Sequence, residues 1–253
     1  MKLTFLGTGT SQGVPVVACN CAVCRSTDEH DKRLRASVLL SVDGKEFLID
    51  AGPDFRQQML RIHQQRLNAL LLTHEHTDHI FGLDDIRAFN WVQKRPMDIY
   101  AEERVQENLK RVFNYVFAAN KYPGIPQMKL HTIENRPFCI ETIEIIPIRG
   151  MHYRLPVFGF RVGDVAYLTD MNYLSPVEIE KLKGVKVLVV NSLRKEKHLS
   201  HFNLEQALEL IHKVKPDRAY LTHISHMMGK QADVEPELPA SVKMAYDGLV
   251  VSI

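Results

Sequence analysis

The sequence predicts an α/β fold in which two mixed β-sheets pack on each other with helices outside, a four-layer αββα sandwich. Three observations carry that expectation. Short apolar runs outnumber amphipathic stretches, the two kinds alternate along the chain, and no low-complexity segment, charge block or Pro/Ser linker interrupts them. Residues 1–253 are therefore read as a single domain, long enough to bury a sizeable core.

Strands are expected at Lys2–Leu6, Ser37–Val42, Glu46–Asp50, Ala69–Thr73, Asp98–Ala101, Ile143–Ile148, Val157–Val162, Val165–Thr169, Val187–Asn191, Arg218–Thr222 and Gly248–Ile253. Each is rich in Val, Ile, Leu or aromatics and is bounded by turn residues. Helices are expected at Asp54–His63, Leu83–Val92, Glu102–Val116, Pro176–Leu182 and Leu204–Val214. The last carries an apolar stripe at Leu204, Ala207, Leu208 and Ile211, with Asn203 as its N-cap. The stretch from Ala118 to Arg136, with Pro123, Gly124 and Pro126, reads as an irregular excursion.

Hydrophobic residues make up 45% of the chain and charged residues 25%, as in ordinary globular proteins. A net charge of +2 gives no electrostatic case for nucleic acid or membrane partners. No apolar run approaches the ~18 residues needed to cross a bilayer. The opening MKLTFLGTGTSQG is too briefly apolar for an export signal and reads as a buried strand ending in a turn. The expected compartment is the cytoplasm, where thiols stay reduced.

The informative string is LLLTHEHTDHIFGLDDI. A buried strand runs directly into His74, Glu75, His76, Thr77, Asp78 and His79, with a helix expected from about Gly82. Neutral imidazole suits Zn, Mn and Fe, and a carboxylate hardens the site and balances charge. In a tight turn, residues two apart can converge on one ion, while Asp78 and His79 can face a second. A merely polar turn would not concentrate four such donors at a strand end.

The string resembles the H-x-H-x-D-H signature of the metallo-β-lactamase superfamily, and the resemblance extends over nearly the whole chain. Phe47-Leu48-Ile49-Asp50-Ala51-Gly52 is similar to the strand-then-Asp-Gly element whose Asp supports the metal site from behind. Gly150-Met151-His152, Tyr167-Leu168-Thr169-Asp170 and Leu221-Thr222-His223 follow in the family's order of His, Asp, His. The resemblance implies the metallo-β-lactamase fold and a two-metal centre. His74, His76 and His152 would hold one ion, Asp78, His79 and His223 the other, and Asp170 would bridge them. Glu75 has no ligand role in that pattern. The oxidoreductase branch has Glu where this chain has His76, which favours hydrolysis.

Cys19, Cys21 and Cys24 form a C-x-C-x-x-C cluster. In a reducing compartment this spacing favours metal over disulfides, but three thiolates leave a structural zinc one ligand short; reduced buried thiols or a redox site are the alternatives. Thr222-His223-Ile224-Ser225-His226, Leu238-Pro239 and Tyr246-Asp247-Gly248 resemble the C-terminal region of the PhnP-type cyclic phosphate phosphodiesterases of carbon–phosphorus lyase pathways. That resemblance implies His226 as the fourth ligand, one structural Zn, and two catalytic divalent metals, Mn or Zn. Cys139 is expected in the core.

Ser200-His201-Phe202-Asn203-Leu204 precedes the last helix, and in phosphodiesterases of this superfamily a His at the matching position lies near the leaving group. The resemblance thus implies His201 as a catalytic residue, with His198 a weaker alternative. It also implies attack on phosphorus by a metal-bridging hydroxide oriented by Asp78 or Asp170. The expected partner is a small phosphodiester, a cyclic ribose phosphate by the resemblance, rather than nucleic acid or membrane, and the expected assembly is a homodimer. An endoribonuclease processing transfer-RNA 3′ ends shares the ligands, but no basic, Gly-rich arm is evident. A thioester or lactam hydrolase on the same fold is the other rival, and a metal-stabilised binding module the non-enzyme one. Arg25, Lys32, Arg33 and Arg35 read as a solvated basic face from which one Arg could reach a phosphate; Tyr153 and Arg154 are expected at the pocket. His30, His63, His131 and His212 read as solvated or locally bonded.

Overall fold

The computed structural model describes residues 1–120 and 122–253. Its strands in chain order are β1 (Lys2–Gly7), β2 (Ser37–Val42), β3 (Lys45–Ile49), β4 (Ala69–Leu71), β5 (Met97–Ala101), β6 (Met128–Thr132), β7 (Phe138–Ile140), β8 (Ile143–His152), β9 (Leu155–Val162), β10 (Val165–Leu168), β11 (Tyr173–Leu174), β12 (Val187–Asn191), β13 (Arg218–Thr222), β14 (Val242–Met244) and β15 (Val250–Ser252). One sheet has the order β15-β1-β2-β3-β4-β5-β6; the other runs β11-β8-β9-β10-β12-β13-β14, with β7 paired to β8. The helices are α1 (Phe55–Arg61), α2 (Thr77–Ile80), α3 (Arg87–Gln93), α4 (Glu103–Val112), α5 (Asn114–Phe117), α6 (Pro176–Glu180), α7 (Leu204–Val214) and α8 (Gln231–Val234).

The layering follows from strand periodicity. Successive side chains point to opposite faces, so a strand buried on both sides reads as continuously apolar. In β12, Val187 and Val189 face the other sheet, while Leu188 and Val190 face α7. In β3, Phe47 and Ile49 enter the inter-sheet core, while Leu48 packs on the outer helices with Phe55, Phe89 and Val105. The central core joins Phe5, Phe158, Phe160 and Tyr167 from both sheets. This is the expected α/β sandwich of two mixed sheets.

Several bounds differ from expectation. The stretch read as irregular contains β6, parallel to β5, while Lys121 within it lies outside the described residues. β6 is an edge strand with mostly half-exposed side chains, so its apolar signal is weak. The strand expected at Ile143–Ile148 continues to His152, held by pairing to β9 through His152↔Leu155. The helix expected at Glu102–Val116 breaks at Phe113, whose φ of −104° and ψ of 44° leave the helical region. The segment at Leu83–Val92 begins as a 3₁₀ turn, Leu83–Ile86, before α3.

Strand direction sets the position of the site. β3 and β4 are parallel, as are β10, β12 and β13. β8 is antiparallel to β9, which is antiparallel to β10, so β8 runs the same way as β10. The C-terminal ends of β3, β4, β8, β10 and β13 consequently meet along one rim of the sandwich. Asp50, His74, His152, Asp170 and His223 all lie at those ends.

Candidate metal centre

After β4 the chain is pinned before it reaches the first histidine. Thr73 N–H donates to Asp50 Oδ1 (2.9 Å), Thr73 Oγ1 donates to Asp50 Oδ2 (2.8 Å), and Phe158 N–H donates to the Thr73 carbonyl from the other sheet (3.0 Å). The string is not one continuous tight turn: α2 starts directly after His76, so Asp78 and His79 ride on a helical turn. That turn lies against Gly52, where an added Cβ would meet the Asp78 carbonyl at 2.0 Å. The Asp50-Ala51-Gly52 element is thereby fixed as the floor of the site.

Two groups of donors result. His74, His76 and His152 form one, and Asp78, His79, Asp170 and His223 the other, with the candidate ligand atoms of each group within 4.8 Å of one another. His74 Nε2 faces His76 Nδ1 at 3.0 Å. Asp170 turns Oδ2 to His79 Nε2 and Oδ1 to His223 Nε2, each at 3.2 Å. His79 Nε2 lies 3.1 Å from Asp78 Oδ2. A further set, His152, Asp170 and His201, puts Asp170 between the two groups.

Outer contacts aim the rings. His79 Nδ1 donates to Asp50 Oδ2 (2.7 Å), His74 Nδ1 meets Thr73 Oγ1 (2.9 Å), and His152 Nδ1 donates to the Ser200 carbonyl (2.8 Å). Such partners fix the tautomer and turn Nε2 toward a metal. Sequence reasoning identified Asp50 but not Thr73 or Ser200; Thr73 was discoverable as the residue before His74, whereas a backbone carbonyl leaves no mark in a sequence.

The donors fit divalent cations. His79 Nε2 and His223 Nε2 are buried without a hydrogen-bond partner, and so is His201 Nδ1. Unpaired buried polar atoms cost free energy that a bound cation would recover. Burial, and then the charge on His79, pushes His74 well below the ordinary imidazole range, which leaves it in the neutral form that binds metal. Burial opposes charge on His79, yet Asp78, Asp170 and Asp50 hold it well above that range; the carboxylates demand a positive charge here. Burial likewise opposes ionised Asp170, and His223 and His79 outweigh it. Asp50, Asp170 and His223 have φ of 63°, 56° and 55°, a left-handed backbone that non-glycine residues adopt at a cost.

His201 stands over the junction of the groups. Its ring centroid is 4.6 Å from that of His152 and 4.8 Å from that of His223. Burial, then His223, lowers its pKa to about 3. His198 is half-exposed, 5.2 Å from His201, and belongs to neither donor group.

The cysteine cluster converges as well. Cys19, Cys21 and Cys24 Sγ lie 3.3, 3.4 and 3.5 Å from His226 Nδ1. Tetrahedral zinc with Zn–S of ~2.3 Å and Zn–N of ~2.0 Å has S···N edges of about 3.5 Å, so this set fits a structural zinc. The Cys24 backbone N–H, then His226, lowers the Cys21 thiol to about 6. Only Ile224 and Ser225 separate His226 from His223.

The expectations for Arg33, Arg35 and Cys139 are corrected. Arg33 is not on a solvated face: it is buried, donating to Thr8 Oγ1 (2.8 Å), the Ala245 carbonyl (2.5 Å) and Gln231 Oε1 (2.8 Å), because the segment after the cysteines inserts between the chain's two ends. Arg35 is paired with Asp54. Cys139 is exposed rather than in the core, since alternation in the short β7 points it away from Ile140. Tyr153 is exposed beside His152, with Arg154 over its ring. His131 pairs with Asp98 and His30 with Asp28, both local contacts. No helix is long and apolar enough to cross a membrane among the described residues.

A two-sheet sandwich whose rim gathers His and Asp donors in two facing groups is the architecture of metallo-β-lactamase fold hydrolases. The family described as "Beta-lactamase superfamily domain" matches residues 45–224, and the chain belongs to that family, with the metallo-β-lactamase fold. A solved structure described as a new diphosphatase from the PhnP family superposes with a TM-score of 0.93 at 37% identity, covering 100% of this chain and 97% of that one. Among curated proteins, one named octanoyltransferase from Porphyromonas gingivalis is 44% identical over 98% of this chain and 51% of its own length. A ribonuclease Z from Nostoc sp. is 30% identical over 74% of this chain and 52% of its own length. The chain thus spans about half the length of these curated relatives.

Proposed function

We propose that this single domain hydrolyses a small phosphodiester, with cyclic ribose phosphates the first substrates to try. The observation that carries the reading is the buried, unpartnered Nδ1 of His201 beside Asp170, where the two donor groups meet. The likeness to a PhnP-family diphosphatase supports cleavage at phosphorus.

His74, His76 and His152 would hold one divalent ion and Asp78, His79 and His223 a second, with Asp170 shared. When bound, such ions neutralise charge on phosphoryl oxygens and lower the pKa of water to about 7. Asp78 or Asp170 accepts a hydrogen bond from the attacking water and so orients it. His201, neutral because burial disfavours its cation, keeps its ring proton and donates a hydrogen bond from it to the departing oxygen, stabilising the charge that builds there. Mn in the catalytic pair and Zn at Cys19, Cys21, Cys24 and His226 is the metal assignment, and the cytoplasm the compartment that keeps those thiols reduced.

A second reading, acyl thioester hydrolysis, draws on the relative named octanoyltransferase. A panel separates them: purified protein with Mn or Zn is offered bis(4-nitrophenyl) phosphate, 4-nitrophenyl phosphate, a 2′,3′-cyclic nucleotide, a transfer-RNA precursor and an octanoyl thioester. Diester turnover is expected. Turnover of the thioester alone, or of the RNA alone, would replace the proposal with that reading.

A further inference from the structure

The string that supplies His74 and His76 carries a carboxylate between them with no place in either donor group. The Glu75 side chain is 16% exposed, and its Oε2 is buried without a hydrogen-bond partner. Its Oε1 pairs with Arg104 Nη1. The other arm of the same guanidinium, Nη2, donates to the Pro156 carbonyl (2.6 Å) and lies 3.6 Å from Glu102 Oε2. Glu102 is held in turn by Arg149, whose guanidinium lies 4.0 Å over the Phe158 ring.

Arg104 therefore bridges the two backbone segments that carry the first donor group. Glu75 belongs to the loop with His74 and His76, at the end of the first sheet. Pro156 lies on β9 opposite Met151, next to the His152↔Leu155 pair of the second sheet. Within that donor group, His76 has the most need of such support. His74, His79 and His152 are each aimed by Thr73, Asp50 or Ser200, whereas the exposed His76 has only His74 as a hydrogen-bond neighbour among the described residues. Arg104 also occupies the first turn of α4, where a cation opposes the helix dipole, a placement that local helix stability does not explain.

We propose that Arg104 is a positioning residue for metal binding: through Glu75 and the Pro156 carbonyl it locks His76 and His74 in register with His152. This rests on reading that group as a metal site. The test titrates metal-stripped full-length protein with Co(II), recording the visible absorption bands together with thermal unfolding, no substrate being present. Arg104→Ala and Glu75→Gln should lose about 10–100-fold in affinity for one cobalt equivalent, the loss typical of removing a ligand's supporting partner, with an altered band for that equivalent alone. Arg104→Lys should recover part, because one ammonium cannot fork between a carboxylate and a carbonyl. Arg161→Ala removes a comparable set of bonds, to the Gly163, Lys181 and Lys183 carbonyls, and should leave cobalt binding unchanged even if it melts earlier. Unchanged cobalt affinity and spectrum in Arg104→Ala would overturn the proposal, as would equal weakening in Arg161→Ala. Should Arg104→Ala not fold, the near-isosteric Glu75→Gln carries the same expectation and the same overturning result. A wild-type protein that takes up no cobalt at this group sinks the metal-site reading itself.

Discussion

At the scale of single residues, His201 and Glu178 make opposite uses of partial burial. His201 is kept neutral by burial and by His223, and its Nδ1 has no partner, so its removal should affect turnover more than folding. His201→Ala should lower kcat on a diester about 10²–10³-fold, the usual worth of a hydrogen-bond donor aimed at developing charge, with melting nearly unchanged; an undiminished rate in a steady-state assay removes it from the mechanism. Glu178 is structural. It accepts from Asn135 Nδ2 (2.7 Å) and the Arg149 backbone (2.8 Å), and is paired with Lys181. Burial opposes its charge, but Lys181, Asn135 and Arg149 hold its pKa below the ordinary value. A depressed carboxylate stabilises the fold above its unfolded pKa and loses that contribution as pH falls through the folded one. The melting gap between wild type and Glu178→Gln should thus be full at pH 6–7, worth about 1–2 kcal/mol, and close below about pH 4.3; a pH-independent gap would refute it. His74, His76, Asp78 and His79 were legible as four donors crowded after one buried strand, while His152, Asp170 and His223 were legible only through the family resemblance. Their supports were not: Ser200 acts through a carbonyl, and Arg104 lies 29 positions from its partner Glu75.

At the scale of elements, strands buried on both faces, such as β12, announce themselves as unbroken apolar runs. α7 announces itself by cap and stripe together. Asn203 accepts from Gln206 N–H (3.0 Å) and Gln206 Oε1 accepts from Asn203 N–H (3.1 Å), a reciprocal cap. Asn203→Ala should cost about 1 kcal/mol, read as a lowered thermal midpoint; an unshifted midpoint would mean the cap is redundant. What the sequence hid were elements whose pairing, not composition, makes them strands. β6, β7, β11 and β14 are short and mostly at sheet margins, where a few backbone bonds to a neighbour suffice. The tail of β8 was hidden for the same reason: Arg149, Gly150, Met151 and His152 have no apolar alternation, and pairing to β9 and β11 extends them.

At the scale of the whole molecule, the cysteine cluster joins the two halves of the chain. Cys19, Cys21 and Cys24 precede every element of the first sheet but β1, and His226 follows β13 of the second. Between them the backbone is stitched by Ile224 N–H to the Thr8 carbonyl (2.9 Å) and Thr10 N–H to the Ile224 carbonyl (3.1 Å). Binding free energy at such a site is folding free energy. Cys21→Ala should lose one zinc by elemental analysis, keep its other metals, and melt several degrees lower; loss of every metal would show that the cluster and the His/Asp groups do not bind independently. The fold class was readable in residue pattern, whereas the order of the donors and the meeting of the cysteines with His226 were expected from the family resemblance. The packing of Arg33 between the chain ends was not, since its burial depends on segments more than 190 positions apart, at Gln231.

The left-handed backbone at Asp50, Asp170 and His223 sets a limit on how this protein can be improved. Selection for heat resistance alone would drift toward glycine at those places, since it relaxes the torsion. His223→Gly would also remove two buried nitrogens that lack partners. A stabilised variant harvested without an activity screen is thus apt to be a sturdier and idle protein, and the three positions belong on the list a protein engineer leaves untouched.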